Sequence, residues 1–219
     1  MSALPQQEMV LSEAMLFQPI LKQDYLQNEF SSDHTPQSSI QQDAPIEILV
    51  VGSNLLYINL NNTRFSIKFH ITRGDVTPIP QNSHTSVVNN VLHSLFIEIS
   101  MELNSKSVTD PNQLYPYRAY LENLLNFSND VERNRLRAEG WIRDTDTAYM
   151  NPEHDANSGV AKRAAWVSES YVFEVVGRPH LDLFQQSKLI PPGINMLISC
   201  IPANDTFVIK TTELMLRTR

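Results

Sequence analysis

The chain has 219 residues, 42% of them hydrophobic and 19% charged, and a formal net charge of −7. That size and composition suit a soluble globular protein that buries enough surface to fold without a staple, and a single cysteine, Cys200, excludes an internal disulfide framework. No run approaches the roughly 18 apolar residues of a membrane span, no basic segment precedes the apolar residues of MSALPQQEMVLSEAMLF, and no basic block offers a footprint for nucleic acid.

Residues 1–44 carry Glu8, Glu13, Asp24, Glu29, Asp33 and Asp43 against Lys22 alone, in a Gln- and Ser-rich context. Such a segment is too sparsely apolar to build a core. It reads as a polar acidic arm, either a disordered leader or a segment that orders by docking Met15, Leu16, Phe17, Ile20 and Leu21 on a neighbour.

From Pro45 to residue 219 the patterning is that of a second region, the folded domain, and it is mostly strand. IEILVV is a continuous apolar run between Pro45 and Gly52, and LLYINL follows as a second strand. RFSIKFHITR alternates Phe65, Ile67, Phe69 and Ile71 with Ser66, Lys68, His70 and Thr72, which predicts a strand with one wet face. After the Pro- and Ser-rich loop 74–86, SLFIEISMEL predicts another, with Leu95, Ile97, Ile99, Met101 and Leu103 inward. Asn104, Ser105 and Lys106 then close a hairpin.

YPYRAYLENLLNF interrupts this pattern as one amphipathic helix, with Tyr117, Tyr120, Leu121 and Leu124 at i, i+3, i+4 and i+7. As a lid on an open end of a sandwich, it would bury that face. The polar stretch from Asn129 to Trp166 reads as helix tail and long surface loop. YVFEVVG, HLDLF, INMLISCI, DTFVIK and TELML complete about nine short strands, the pattern of an antiparallel β-sandwich or barrel.

Motifs for chemistry are missing. The six histidines show no metal-ligand spacing, and no HExxH, C-x-x-C, GxGxxG, P-loop or G-x-S-x-G is found. No catalytic, cofactor-binding or metal-ligating residue is therefore assigned, and the protein is expected not to be an enzyme. His180 and Asp182 would share a face of the strand HLDLF as an outward polar pair, and Asp144, Asp146, Glu153 and Asp155 form an acidic loop without EF-hand spacing. Cys200, within INMLISCI, reads as a buried core thiol.

The ordered blocks VNNVLHSLF, YPYRAYLE and GRPHLDLF, with PIEILVVGS and RFSIKFHITRGD before them and IPPGINM after, give the chain a likeness to a known group. It resembles the major capsid proteins of Polinton/Maverick-type elements and adintovirus-like viruses, over about residues 45 to 210. The resemblance implies a jelly-roll β-sandwich, the first of two such units in a double jelly-roll protein, with the helix in a long inter-strand connection. It also implies self-association, in that family as trimeric capsomers, contacts with minor capsid or penton proteins, and location in a virion shell built in the host cytoplasm or nucleus. Tyr115, Tyr117, Arg118 and Tyr120 are the candidate subunit-interface residues. The chain ends at TELMLRTR, where the family's second jelly roll would begin, which leaves the trimeric geometry open. Apart from the resemblance, a sandwich that binds a carbohydrate or a protein surface through its loops, or an enzyme on the same scaffold, stays an alternative. A purely structural role predicts indifference to chelators.

Overall fold

The computed structural model describes residues 28–37, 40, 44–81, 83–110, 112–145, 158–211 and 216–218. The chain divides into two compact units, residues 1–33 and 34–219, and every regular element described lies in the second. The apolar arm residues Met15 to Leu21 lie outside the described residues.

Among the described residues ten strands form antiparallel sheets: β1 Ile46–Val50, β2 Phe65–Phe69, β3 Ile71–Arg73, β4 Thr85–Val87, β5 Phe96–Leu103, β6 Lys106–Ser107, β7 Phe173–Gly177, β8 Met196–Pro202, β9 Ile209–Thr211 and β10 Leu216–Thr218. One sheet has the order β1-β8-β5-β6, and the pairs β2-β7, β3-β10 and β4-β9 complete the set. Between them lie the helices α1 Val91–Ser94, α2 Tyr115–Asn126, α3 Asn129–Val131, α4 Ser158–Val167 and α5 Asp205–Val208. With about 30% helix and 27% strand, the protein is mixed and not the mainly β chain with one helix that the patterning predicts.

The best-patterned strands form as read. In β2, Phe65, Ile67 and Phe69 turn inward, while Ser66 and Lys68 stay exposed and meet Glu174 across the pair with β7. In β5 a bulge at Ile97 separates the pairs Phe96↔Pro202 and Glu98↔Ile201. The extra residue resets the alternation, so Phe96, Ile99 and Met101 are all buried and Ile97 only partly. Asn104 and Ser105, both at positive φ (47° and 63°), make the tight turn into β6.

Elsewhere the fold departs from the sequence pattern. LLYINL is irregular apart from a single bridge, Ile58↔Ile190, and a 3-10 turn at Leu60–Asn62. HLDLF is not a strand: Asp182–Gln185 is a 3-10 turn that buries Phe184. The supposed surface loop contains the helical run 129–136, in part a π-helix, and α4. Helix α4 carries Arg163, fully buried, with Nε donating to Val87 O (3.0 Å), Nη1 to Ile142 O (2.5 Å) and Nη2 to Asp144 Oδ1 (2.7 Å). One long cation thus joins α4, β4 and the 142–144 segment, which no periodicity announces. Asp144 is committed to that pair; Asp146, Glu153 and Asp155 lie outside the described residues.

Two apolar clusters form the core. One gathers Phe69, Ile71, Val87, Val91, Leu92 and Val175, the other Leu60, Phe96, Met101, Phe184, Ile198 and Cys200, and Phe65, Ile67 and Leu95 pack against both. Cys200 is the buried thiol expected, its pKa pushed up to about 12 by burial.

Candidate functional site: helix α2 and the polar network behind it

Helix α2 sits with its amphipathicity reversed. Pro116 in its first turn presets the backbone for a helix start. The residues that face the protein are Tyr115, Pro116, Ala119 and Asn123. Tyr117, Tyr120, Leu121, Leu124 and Leu125 are between 40% and 77% exposed, so the apolar stripe faces outward. Tyr117 still touches Phe207 edge-on, and Tyr120 leans on the buried Trp141.

Polar bonds hold the inner face. Asn123 Nδ2 donates to Asn90 Oδ1 (3.1 Å), both residues buried. Asn90, at φ 61° and ψ 44°, begins α1 in the left-handed region that asparagine tolerates. Its backbone N–H reaches Gly140 O (3.2 Å), and Leu92 N–H reaches Glu139 O (3.1 Å).

The turn that supplies Glu139 follows from its sequence. Gly140, at φ +82°, ends the preceding helix in a Schellman motif, with Trp141 N bonded to Leu136 O and Gly140 N to Arg137 O. A Cβ on Gly140 would strike Val91 Cγ1 at 2.3 Å. Gly177, at the end of β7, likewise clears space for the Glu139 side chain, whose Cγ would lie 2.4 Å from an added Cβ.

Three distant segments therefore deliver His93 from α1, Glu139 from the helix cap and His180 from the stretch after β7 to one buried place. Their donor atoms all lie within 4.8 Å of one another. Glu139 Oε2 is 3.3 Å from His93 Nε2, and the His93 and His180 rings meet edge to face at 4.6 Å. Tyr115 Oη lies 2.9 Å from His93 Nδ1 and accepts from the His180 backbone N–H at 3.3 Å. His180 Nδ1 is 2.6 Å from Glu122 Oε2, which also receives Gln185 Nε2 at 2.8 Å. Arg118 closes the outer end, donating to Glu122 Oε1 (2.7 Å) and to Asp182.

One protonation pattern satisfies these contacts. Tyr115 O–H donates to His93 Nδ1, His93 Nε2–H donates to Glu139, and His180 Nδ1–H donates to Glu122. Burial, reinforced by the neighbouring His93, pushes His180 down to about 4, so its ring is neutral. Burial raises both Glu122 and Glu139. Hydrogen bonds outweigh it, from Arg118, His180 and Gln185 in the first case and from His93 in the second, and hold both carboxyls below their ordinary range. Burial drives the Tyr115 hydroxyl strongly upward, so it stays protonated.

The four predicted interface residues separate. Tyr115 is 4% exposed and belongs to the network, a correction that follows from its hydroxyl having two inward partners. Tyr117 and Tyr120 lie on the outward stripe, and Arg118 lies at its edge, half-exposed and paired with Glu122 and Asp182. His180 and Asp182 do not share a face: one is buried and the other is exposed. His93, Glu122 and Glu139 carry no signal that sequence spacing detects. The one local hint is the Gly140 helix stop, which fixes Glu139 as the last residue before a turn.

No protein-family model matches the chain. Residues of the chain align with an uncharacterized protein of Caenorhabditis elegans at 25% identity over 185 residues, 80% of this chain and 41% of that protein. The chain thus spans about two-fifths of the relative's length. No helix among the described residues is long and apolar enough to cross a membrane.

Proposed function

We propose that this is a structural protein of viral or virus-derived origin, a capsid-type jelly-roll sandwich that self-associates through the outward face of α2. The observation that carries the reading is the reversed helix. Tyr117, Tyr120, Leu121, Leu124 and Leu125 form one exposed stripe, while the buried side of the same helix is held by polar bonds. An apolar stripe with tyrosines, edged by charges of both signs at Arg118, Glu122 and Asp182, is self-complementary and fits a second copy of the chain. The antiparallel sheets agree with a jelly-roll scaffold, and a relative more than twice as long as the aligned region has room for a second such unit. The role is non-enzymatic. Minor capsid or penton proteins are secondary partners, and the place of action is the shell, assembled in the host cytoplasm or nucleus.

Light scattering on the full chain tests the reading. The wild type is expected to form trimers or larger bodies, and Tyr117→Ala or Leu121→Asp to weaken association by about 2 kcal/mol or more per contact, the size of an interface hot spot, with the subunit still folded. A wild-type chain that stays monomeric at high concentration, or variants that assemble unchanged, would refute it.

A further inference from the structure

We infer that His93, Glu139 and His180 form a binding site for a divalent transition-metal ion, zinc by ligand type, which fastens α1, the Gly140 turn and the stretch after β7 to one another behind α2. Two imidazoles and one carboxylate are a borderline-soft donor set that suits zinc better than calcium or magnesium.

The geometry of the cluster fits such an ion in three ways. First, the 3.3 Å separation of Glu139 Oε2 and His93 Nε2 is long for a charge-assisted hydrogen bond. It matches the edge of a tetrahedron with metal–ligand bonds of about 2.0–2.1 Å, which is roughly 3.3 Å. The third donor lies within 4.8 Å of both, and a bound ion would draw it inward.

Second, the ligands are oriented by partners of the kind that metal-binding histidines use. Glu122 takes the Nδ1–H of His180 at 2.6 Å, which leaves Nε2 with its lone pair and makes a carboxylate–histidine–metal relay. Tyr115 serves His93 in either tautomer: it donates to Nδ1 when Nε2 is protonated, and accepts from Nδ1–H when Nε2 ligates. Third, Glu139 is only 3% exposed, and that long contact is its side-chain hydrogen bond among the described residues. One hydrogen bond leaves most of the carboxylate's lone pairs free, and a dication would take one of them.

The three protein ligands leave one coordination position, for water or another small donor. Burial of all three ligands makes the ion a clamp here. The site requires no second subunit and so does not depend on the capsid reading, but it replaces the indifference to chelators expected of a purely structural role with a melting temperature that falls when the ion is removed.

The test uses the full chain, stripped with chelator and titrated with zinc chloride by calorimetry, with cobalt(II) as a spectroscopic probe. One equivalent should bind, raise the melting temperature and give the visible absorption of tetrahedral cobalt. His180→Ala should abolish all three. Because that change also removes a buried side chain, Glu122→Gln is the second variant: it keeps the shape of the partner but removes its charge, and should weaken zinc binding about 10- to 100-fold while the circular dichroism of the metal-free chain is unchanged. Failure of the wild type to bind or to gain melting temperature overturns the inference. So does binding that Glu122→Gln leaves at wild-type affinity, which would place the ion on other histidines.

Discussion

Removing one oxygen from the centre of the network should destabilise the subunit more than removing a whole leucine from the helix's outer face. In Tyr115→Phe the ring stays and so does its packing, since Tyr115 is 4% exposed and lies in the cluster with Phe96 and Cys200. What disappears is the acceptor for the His180 N–H (3.3 Å) and the donor to His93 Nδ1 (2.9 Å). Neither histidine tautomer repairs the loss. With Nε2–H retained for Glu139, Nδ1 keeps a buried lone pair without a donor; with the proton on Nδ1, a buried N–H has no acceptor and the Glu139 contact is broken. Each buried group left unpaired costs about 1–3 kcal/mol, and the 3.3 Å bond belongs at the low end. The sum is about 2–4 kcal/mol, a large share of the roughly 5–15 kcal/mol that holds a typical domain together. Urea unfolding in the presence of chelator reads it as a lower midpoint at unchanged slope. Association measured on the folded fraction should not change, because the hydroxyl points inward. A loss below about 0.5 kcal/mol, the scatter of ordinary surface substitutions, would mean that the hydroxyl has no such role and would refute the reasoning.

Leu124→Ala should cost less than about 1 kcal/mol, and not the 2–5 kcal/mol of a core cavity, because Leu124 is 40% exposed; thermal unfolding of the subunit checks it. Arg163→Met should cost about 3–5 kcal/mol, since it leaves the part-buried Asp144 without its cation and removes a donor from each of the Val87 and Ile142 carbonyls; the same unfolding assay applies. For pH, the sign follows from His180, whose folded value of about 4 lies below its ordinary 6.5. The unfolded chain then binds more protons between those values, so stability of the metal-free protein should fall as the pH drops from about 6.5 to 4, by about 3 kcal/mol in all. His180→Gln should flatten that part of the profile, and a wild-type curve already flat there would contradict the buried neutral ring.

The sequence discloses features whose cause is local. The alternation of Phe65 to Phe69 and of Ile99 to Met101, the left-handed Asn104–Ser105 turn and the burial of Cys200 follow from side-chain period and turn chemistry, and each is present in the fold. The errors arise where a long-range contact overrules a local pattern. The Ile97 bulge depends on the register against β8. The helix α4 lies in a stretch whose inward side is anchored by an arginine, and a hydropathy pattern assigns that residue to solvent.

Helix α2 shows the same limit at the site itself. A periodic apolar stripe predicts which residues share a face, and Tyr117, Tyr120, Leu121 and Leu124 do share one. It does not predict which way that face points when the opposite side can be satisfied better. Tyr115, Glu122 and Asn123 meet His93, His180 and Asn90, partners that come from 22 to 65 residues away along the chain. Turning the leucines inward would leave His93 Nδ1, the His180 ring and Asn90 Oδ1 buried against hydrocarbon with their polar atoms unmet, at a cost of a few kcal/mol for each. Burying a leucine stabilises by about 1.5–3 kcal/mol, so the polar contacts can decide the orientation, and the stripe stays outside. The same comparison makes the outward stripe informative: its leucines and tyrosines are exposed because the inner face is already occupied, and the proposed self-association would supply the burial that the subunit does not.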